Sequence, residues 1–394
     1  MTERRPDPKS QASPAVRRMA DRLDEILREI ESSATLAAEL LAKTGTERAA
    51  AVRTEVRFHG LKLCELLFTK SREAWFTNPA KSVELAELAV AISDRLDVDH
   101  YGMALVEDTR ALAWAHLGNA YQVASDLRQA EEALDRAEEH HRHSDEDELT
   151  LAQILSFRAS LRNAQGRFEE AGRLLDRALV IYREAKDRHL EGRTLIKKAT
   201  ALGYAGRFHQ AARLVRRGLS RIDLLEEPRL LVMARHNLIW YLNESGQYEK
   251  ARKELEETRG LYLALRDQIN LVLLRWLEGR IALGLGRLDE AGPALREARD
   301  AFIERGIGFD AALVSLDLAA VYARRGEPGQ VKRLAAEMLP IFESRDLHAE
   351  ALAALAIFRQ AAEAEEVTLD LLERMARYLQ RARRNPELRF GEGE

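Results

Sequence analysis

At 394 residues, with 46% apolar but only 6% aromatic residues, 32% charged residues and nine prolines, the chain is long enough to bury a large core, and its composition favours helix over sheet. The 61 basic and 65 acidic side chains leave a net charge of −4, which excludes a global field that would draw the protein to nucleic acid or to an anionic membrane. Cys64 is the one cysteine and cannot close an internal disulfide; it fits a reducing, cytoplasmic setting and, within the apolar run LKLCELLF, reads as a buried small hydrophobe.

Residues 1–14, MTERRPDPKSQASP, hold three prolines among polar groups and read as a flexible tail with no apolar core of the kind a signal peptide needs. No later run approaches the roughly 18 uninterrupted apolar residues of a membrane span. From Ala15 the spacing becomes helical, with Met19, Leu23, Ile26, Leu27 and Ile30 on one stripe, and nothing before residue 385 reads as a strand.

The strongest signal is self-similarity. GRFEEA at Gly166, GRFHQA at Gly206, GQYEKA at Gly246, GRLDEA at Gly286 and GEPGQV at Gly326 recur at identical intervals of 40 residues. Each glycine follows one helical apolar pattern and precedes another, and acids such as Glu169, Glu170, Asp289 and Glu290 open the second. Glycine suits the left-handed position just past a helix end, and acids suit the positive end of the next helix. The unit is therefore a helical hairpin, which must stack on its neighbours to bury its apolar face. Ser125 stands 41 residues before Gly166 and marks one more unit, AWAHLGNAYQVASDLRQAEEALDRA.

That unit resembles the tetratricopeptide repeat (TPR) family. Trp114, Leu117, Gly118 and Tyr121 match the motif of the first helix, and Ala130, Leu134 and Ala137 that of the second. The small positions recur as Ala159, Ala171 and Ala178, as Ala199, Ala211 and Gly218, and as Gly279, Ala291 and Ala298. The unit around Gly246 departs with Ile239 and Thr258, and the last unit with Val331 and Met338. The 40-residue period is similar to the longer-helix TPR variants of kinesin light chains and bacterial regulators. The whole chain also resembles a group of bacterial TPR proteins with an ending like RARRNPELRF, a resemblance that carries no activity with it.

The resemblance implies an all-α fold, a right-handed TPR-like α-solenoid of stacked antiparallel helical hairpins. Residues 15–100 are expected to form N-terminal helices, including a degenerate hairpin whose second helix starts after Asn78 and carries Ser82, Ala86 and Ala89 at the small positions. About six repeats follow over 101–365, and 366–394 reads as a capping helix and tail.

Catalytic signatures fail. The string GRIALGLGR has Leu285 where a phosphate-binding loop needs lysine, and its Gly284 and Gly286 are followed by Asp289 where a dinucleotide loop needs its third glycine; HExxH and GxSxG are absent. No enzyme activity and no cofactor is expected. His140 and His143, with His141 between them and Asp145 or Glu146 beyond, are the one cluster of potential metal ligands. No spacing there enforces a closed site, so a solvated loop is the plainer reading and no metal is assigned. The basic runs RARR at 381–384 and RLVRRGLSR at 213–221 lack an accompanying nucleic-acid motif, which makes nucleic acid an improbable partner.

In TPR arrays the first helices of successive hairpins line a concave face. Counting from Trp114, the residues expected there are Asn119, Gln122, Gln153, Ser156, Ser160 and Asn163, then Arg193, Thr200, Tyr204, His236, Trp240, Asn243, Trp276 and Arg280. Asparagine amides suit an extended peptide backbone, the tryptophans an apolar side chain and the arginines a carboxylate. Trp240 and Trp276 read equally as groove or as core. Asn119 sits where carboxylate-clamp TPR domains carry asparagine, but the clamp's lysines and arginines have no match here. The expected function is a non-catalytic scaffold or adaptor that binds a protein or peptide in this groove. The alternative is a peptide-sensing regulator whose superhelix changes shape on binding.

Overall fold

The computed structural model describes residues 14–75, 77–145, 147–223, 227–265, 267–343, 349–382 and 389–391. The proposed tail lies outside them up to residue 13, as do Glu146 of the histidine-rich loop and Arg383 and Arg384 of the RARR run. The described residues are helical with no strand, and no helix among them is long and apolar enough to cross a membrane. Two compact units divide between Leu161 and Arg162.

The first unit contains α1 (Pro14–Ala42), α2 (Gly45–Thr54), α3 (Leu61–Ala74), α4 (Pro79–Ser93), the short α5 (Val98–Tyr101), α6 (Met103–Val123), α7 (Leu127–His141) and most of α8 (Glu148–Ala164). Thr44 opens α2 with a capping box to Glu47, and the Asn78 side chain accepts from the Lys81 amide to start α4. Ser82, Ala86 and Ala89 are fully buried on α4, which packs on α3. Of the α1 stripe, Ile26, Leu27 and Ile30 remain exposed, whereas Ala37 and Leu40 near its C-terminal end are buried in the core shared with α3. Cys64 is buried and free, and burial pushes its thiol up, so it is an inert hydrophobe rather than a nucleophile.

The second unit continues with α9 (Phe168–Glu184), α10 (Arg188–Tyr204), α11 (Phe208–Leu219), α12 (Pro228–Glu244), α13 (Tyr248–Leu265), α14 (Gln268–Gly284), α15 (Leu288–Glu304), α16 (Gly308–Arg324), α17 (Pro328–Glu343), α18 (Ala349–Glu363) and α19 (Leu369–Ala382). Consecutive helices pack on one another, and α10, α12, α14 and α16 also touch in series. These first helices of the hairpins thereby share one face.

The periodic glycines do what their spacing predicts. Gly166, Gly206, Gly246, Gly286 and Gly326 have φ between 66° and 74°, and Ser125 takes the same left-handed place at 66°. At Gly246 the following amide of Gln247 reaches back to the Leu242 carbonyl at 2.9 Å while the glycine amide bonds Asn243 O at 3.0 Å. Both bonds satisfy carbonyls that the helix end would otherwise orphan.

The small positions set the helix spacing. A methyl group at Gly118 would stand 2.7 Å from Leu134, and one at Gly279 would stand 2.7 Å from Leu295, so the same residue offset locks α6 to α7 and α14 to α15. Each fully buried leucine of this kind contributes about 1.5–3 kcal/mol by leaving water. The departures are absorbed: Ile239 and Thr258 are buried in the α12–α13 hairpin, with the Thr258 hydroxyl donating to Glu254 O at 2.6 Å. Val331 and Met338 are likewise buried.

Candidate functional site

In the first unit two of the five expected groove residues are buried and three are half-buried. Asn119 and Ser156 are buried, Gln122 and Gln153 are half-buried, and Ser160 donates to Ser156 O at 3.2 Å. Gln153 Nε2 lies 2.9 Å from His116 Nε2, and the His116 ring stacks on Phe68 at 4.6 Å. Gln153 and Ser160 thus spend hydrogen bonds inside the layer.

The second unit brings four expected residues together. Trp240 and Asn243 come from α12, and Trp276 and Arg280 from α14. The Arg280 guanidinium lies 4.3 Å from the centre of the Trp240 ring, and the two tryptophans meet edge to face at 5.2 Å. Trp276 is only 4% exposed and donates its indole N–H to Asp317 Oδ2 at 2.7 Å, so it is a wall of the site and its hydrogen bond is spent. Arg280 is held by Glu244 at 2.9 Å and Asp317 at 3.4 Å. Burial raises the Asp317 pKa, against the opposing pull of Arg280 and the Trp276 donor. Burial also works against charge on Arg280, but Asp317 and Glu244 more than reverse this and hold it above its usual value.

Asn243 is 7% exposed, and its Oδ1 accepts no hydrogen bond among the described residues. It borders a cavity of about 450 Å³ that Glu244, Arg280, Asp317 and residues of α19 also line. A buried acceptor without a donor costs about 1–3 kcal/mol, which a ligand N–H would recover.

The remaining expected residues sit apart from this cluster. Arg193 pairs with Glu227 at 3.0 Å, Thr200 donates to Ile196 O, and Tyr204 is exposed beside Phe168. Asn163, near the end of α8, also has a buried Oδ1 without a donor among the described residues. His236 Nδ1 lies 2.9 Å from the Tyr262 hydroxyl, and burial pushes its pKa down to about 4, so the ring is neutral near pH 7. Lys197, one helical turn beyond Arg193, is lowered to about 7 by burial and by the Arg193 charge.

Sequence reasoning missed Glu244, Asp317, Lys197 and the whole contribution of α19. Asp317 was findable, because an acid inside the apolar run ALVSLDLAAVY must face something specific. The α19 residues carried no such signal, since their stripe reads as a solvated face.

Elsewhere, His140 Nδ1 lies 2.7 Å from Glu107 Oε2 and His143 Nδ1 lies 2.8 Å from Glu139 O. No group of three potential ligands among the described residues could hold a metal. The basic run from Arg213 borders a depression in which Lys198 pairs with Asp176 and Arg207 with Glu169.

Hairpins of this period, joined by left-handed turns and with their first helices side by side, define a TPR-type α-solenoid repeat protein. Residues 150–222 match the tetratricopeptide repeat family model. No curated protein sequence matches the chain. Among solved structures, the chain is similar to aspartyl phosphate phosphatase F from Bacillus subtilis, with 16% identity over 75% of this chain and 72% of that one and a TM-score of 0.55. A Rap protein complexed with competence and sporulation factor aligns over 81% of this chain and 88% of its own, with 14% identity and a TM-score of 0.57. NprR in complex with its cognate peptide NprX aligns over 78% and 86%, with 15% identity and a TM-score of 0.52. At these identities the likeness is one of fold.

Proposed function

We propose that this protein is a non-catalytic peptide- or protein-binding scaffold of the bacterial cytoplasm, and that the shared face of α12, α14 and α16 holds the bound segment. The observation that carries this reading is the buried Oδ1 of Asn243, without a donor among the described residues, on a cavity that it lines together with Arg280, whose guanidinium lies over the Trp240 ring. It combines a hydrogen-bond acceptor for a backbone amide, an aromatic surface for a side chain and a fixed charge network. Two of the similar structures bear printed names that put a peptide or signalling factor on the same fold, which supports the reading. The single buried cysteine suits a reducing compartment.

The test is co-purification from the native host with the partners identified by mass spectrometry, repeated with Asn243 changed to alanine. Loss of a specific partner with helicity intact is the expected result. Retention of the same partners would move the interaction off this face. A sensor, the second reading, is favoured by the NprR likeness and differs in one observable: its radius of gyration falls when ligand is added, whereas a passive scaffold keeps its dimensions.

A further inference from the structure

We propose that α19 closes the end of this face into a walled pocket for a short peptide, and that the peptide's free amino terminus is held at Asn243 and Glu244. The inference rests on the binding reading above and adds the ligand's length and polarity.

Helix α19 packs on α16, a helix of the proposed binding face, and buries Leu372, Met375, Tyr378 and Leu379 in the core. Leu372 also reaches the cavity, which is bordered by the stripe Leu369, Glu373, Ala376, Arg377 and Gln380, spaced every three or four residues or adjacent. The cavity is thus lined by α12, α14 and α16 as well as by α19, and its volume of about 450 Å³ lies in the range of small-molecule sites. An extended decapeptide would span roughly 33 Å, whereas a peptide of about four residues is of the pocket's scale.

Among the described residues Asn243 Oδ1 has no donor, and Glu244 Oε1, although 2.9 Å from Arg280, receives no aligned hydrogen bond. Asp317 and Glu373 add two more carboxylates. Of the cations, Arg280 is committed to Glu244 and Asp317, and Arg324 donates to the Leu283 carbonyl at 2.6 Å. Arg280, Arg324 and Arg377 balance Glu244, Asp317 and Glu373 in the lining, so the selection lies in hydrogen bonding: the three N–H donors of an ammonium group match the two acceptors left unsatisfied among the described residues, whereas a terminal carboxylate brings only acceptors. Arg377, exposed on α19, is placed to meet the carboxylate end.

The experiment incubates the full-length protein with three random libraries: tetrapeptides with free amino termini, the same tetrapeptides N-acetylated, and decapeptides. Retained peptides are counted by mass spectrometry after gel filtration. Free tetrapeptides are expected to be retained, with acetylation lowering retention about tenfold and Ala376→Trp, which fills the cavity from α19, lowering it comparably. Arg377→Glu, at an exposed position with no packing role, is the second variant and lowers retention of free tetrapeptides even if Ala376→Trp fails to fold. Retention of decapeptides alone, unaffected by either variant, would overturn the pocket and leave the binding face standing. Equal retention of acetylated and free tetrapeptides would overturn the amino-terminal assignment, and no retention of any library would overturn the peptide pocket while leaving the binding face to the co-purification test.

Discussion

Arg280 is gripped from two sides: its guanidinium lies over Trp240 at 4.3 Å and reaches the buried carboxylate of Asp317 at 3.4 Å. Removing it strands Asp317 and Glu244 in a site that burial already makes unfavourable for charge. Arg280→Met is therefore expected to cost about 3 kcal/mol in urea unfolding near pH 8, because one partner of a buried pair is lost. Asp317 in that variant has a folded-state pKa raised above its unfolded value, so the folded state takes up a proton as pH falls and the deficit shrinks toward pH 5. A deficit that is unchanged or grows on acidification would mean that the Asp317 charge is not what Arg280 holds. Adding Asp317→Asn to the variant should recover part of the loss.

Much of the scaffold was legible in the sequence because a 40-residue period repeats backbone chemistry: a left-handed turn needs Gly246 or its equivalents, and close helices need Gly118 and Gly279. The face proposed for binding was legible only by register. Counting from Trp114 reached Trp240, Asn243, Trp276 and Arg280, yet it cannot tell a side chain that faces outward from one that leans into the layer beneath, as Trp276 does toward Asp317. The α19 stripe was not legible, because which helix it meets depends on a turn of the chain beyond the last repeat.

His236 supplies a pH signature. Its pKa falls from the ordinary 6.5 to about 4 on folding, so between those values the unfolded chain binds more protons and acid destabilises the fold. Between pH 7.5 and pH 5 this group should remove about 1–2 kcal/mol of stability. The comparison is chemical unfolding of wild type against His236→Gln at both pH values. A variant that loses as much stability as wild type on acidification would exclude His236 as the source.

Ser125 is a non-glycine residue where five repeats place glycine, at φ 66°. Left-handed backbone costs an L-residue roughly 1–2 kcal/mol, partly offset in glycine by greater freedom of the unfolded chain. Ser125→Gly is expected to stabilise the first unit by about 0.5–1 kcal/mol. Gly246→Ala, the converse change in the second unit, should destabilise by about 1 kcal/mol. Hydrogen exchange of the α6 and α12 amides reports the two units separately, and equal effects of the two substitutions on both would contradict the local origin.

Trp240 and Trp276 touch each other but answer to different demands. Trp276 is buried and supplies Asp317 with its one indole donor, so Trp276→Phe should cost about 1–3 kcal/mol of stability by leaving that carboxylate without the bond. Trp240 is half-buried, makes no hydrogen bond to Asp317, and presents its ring to Arg280. Trp240→Leu keeps much of the apolar packing and removes the aromatic face, so stability should fall by only about 1 kcal/mol, on the scale of a lost cation–π contact. Peptide retention should fall far more in Trp240→Leu than in Trp276→Phe when each is measured at a temperature where it remains folded. The reverse order would identify Trp276 as the contact and require the layer above it to open on binding.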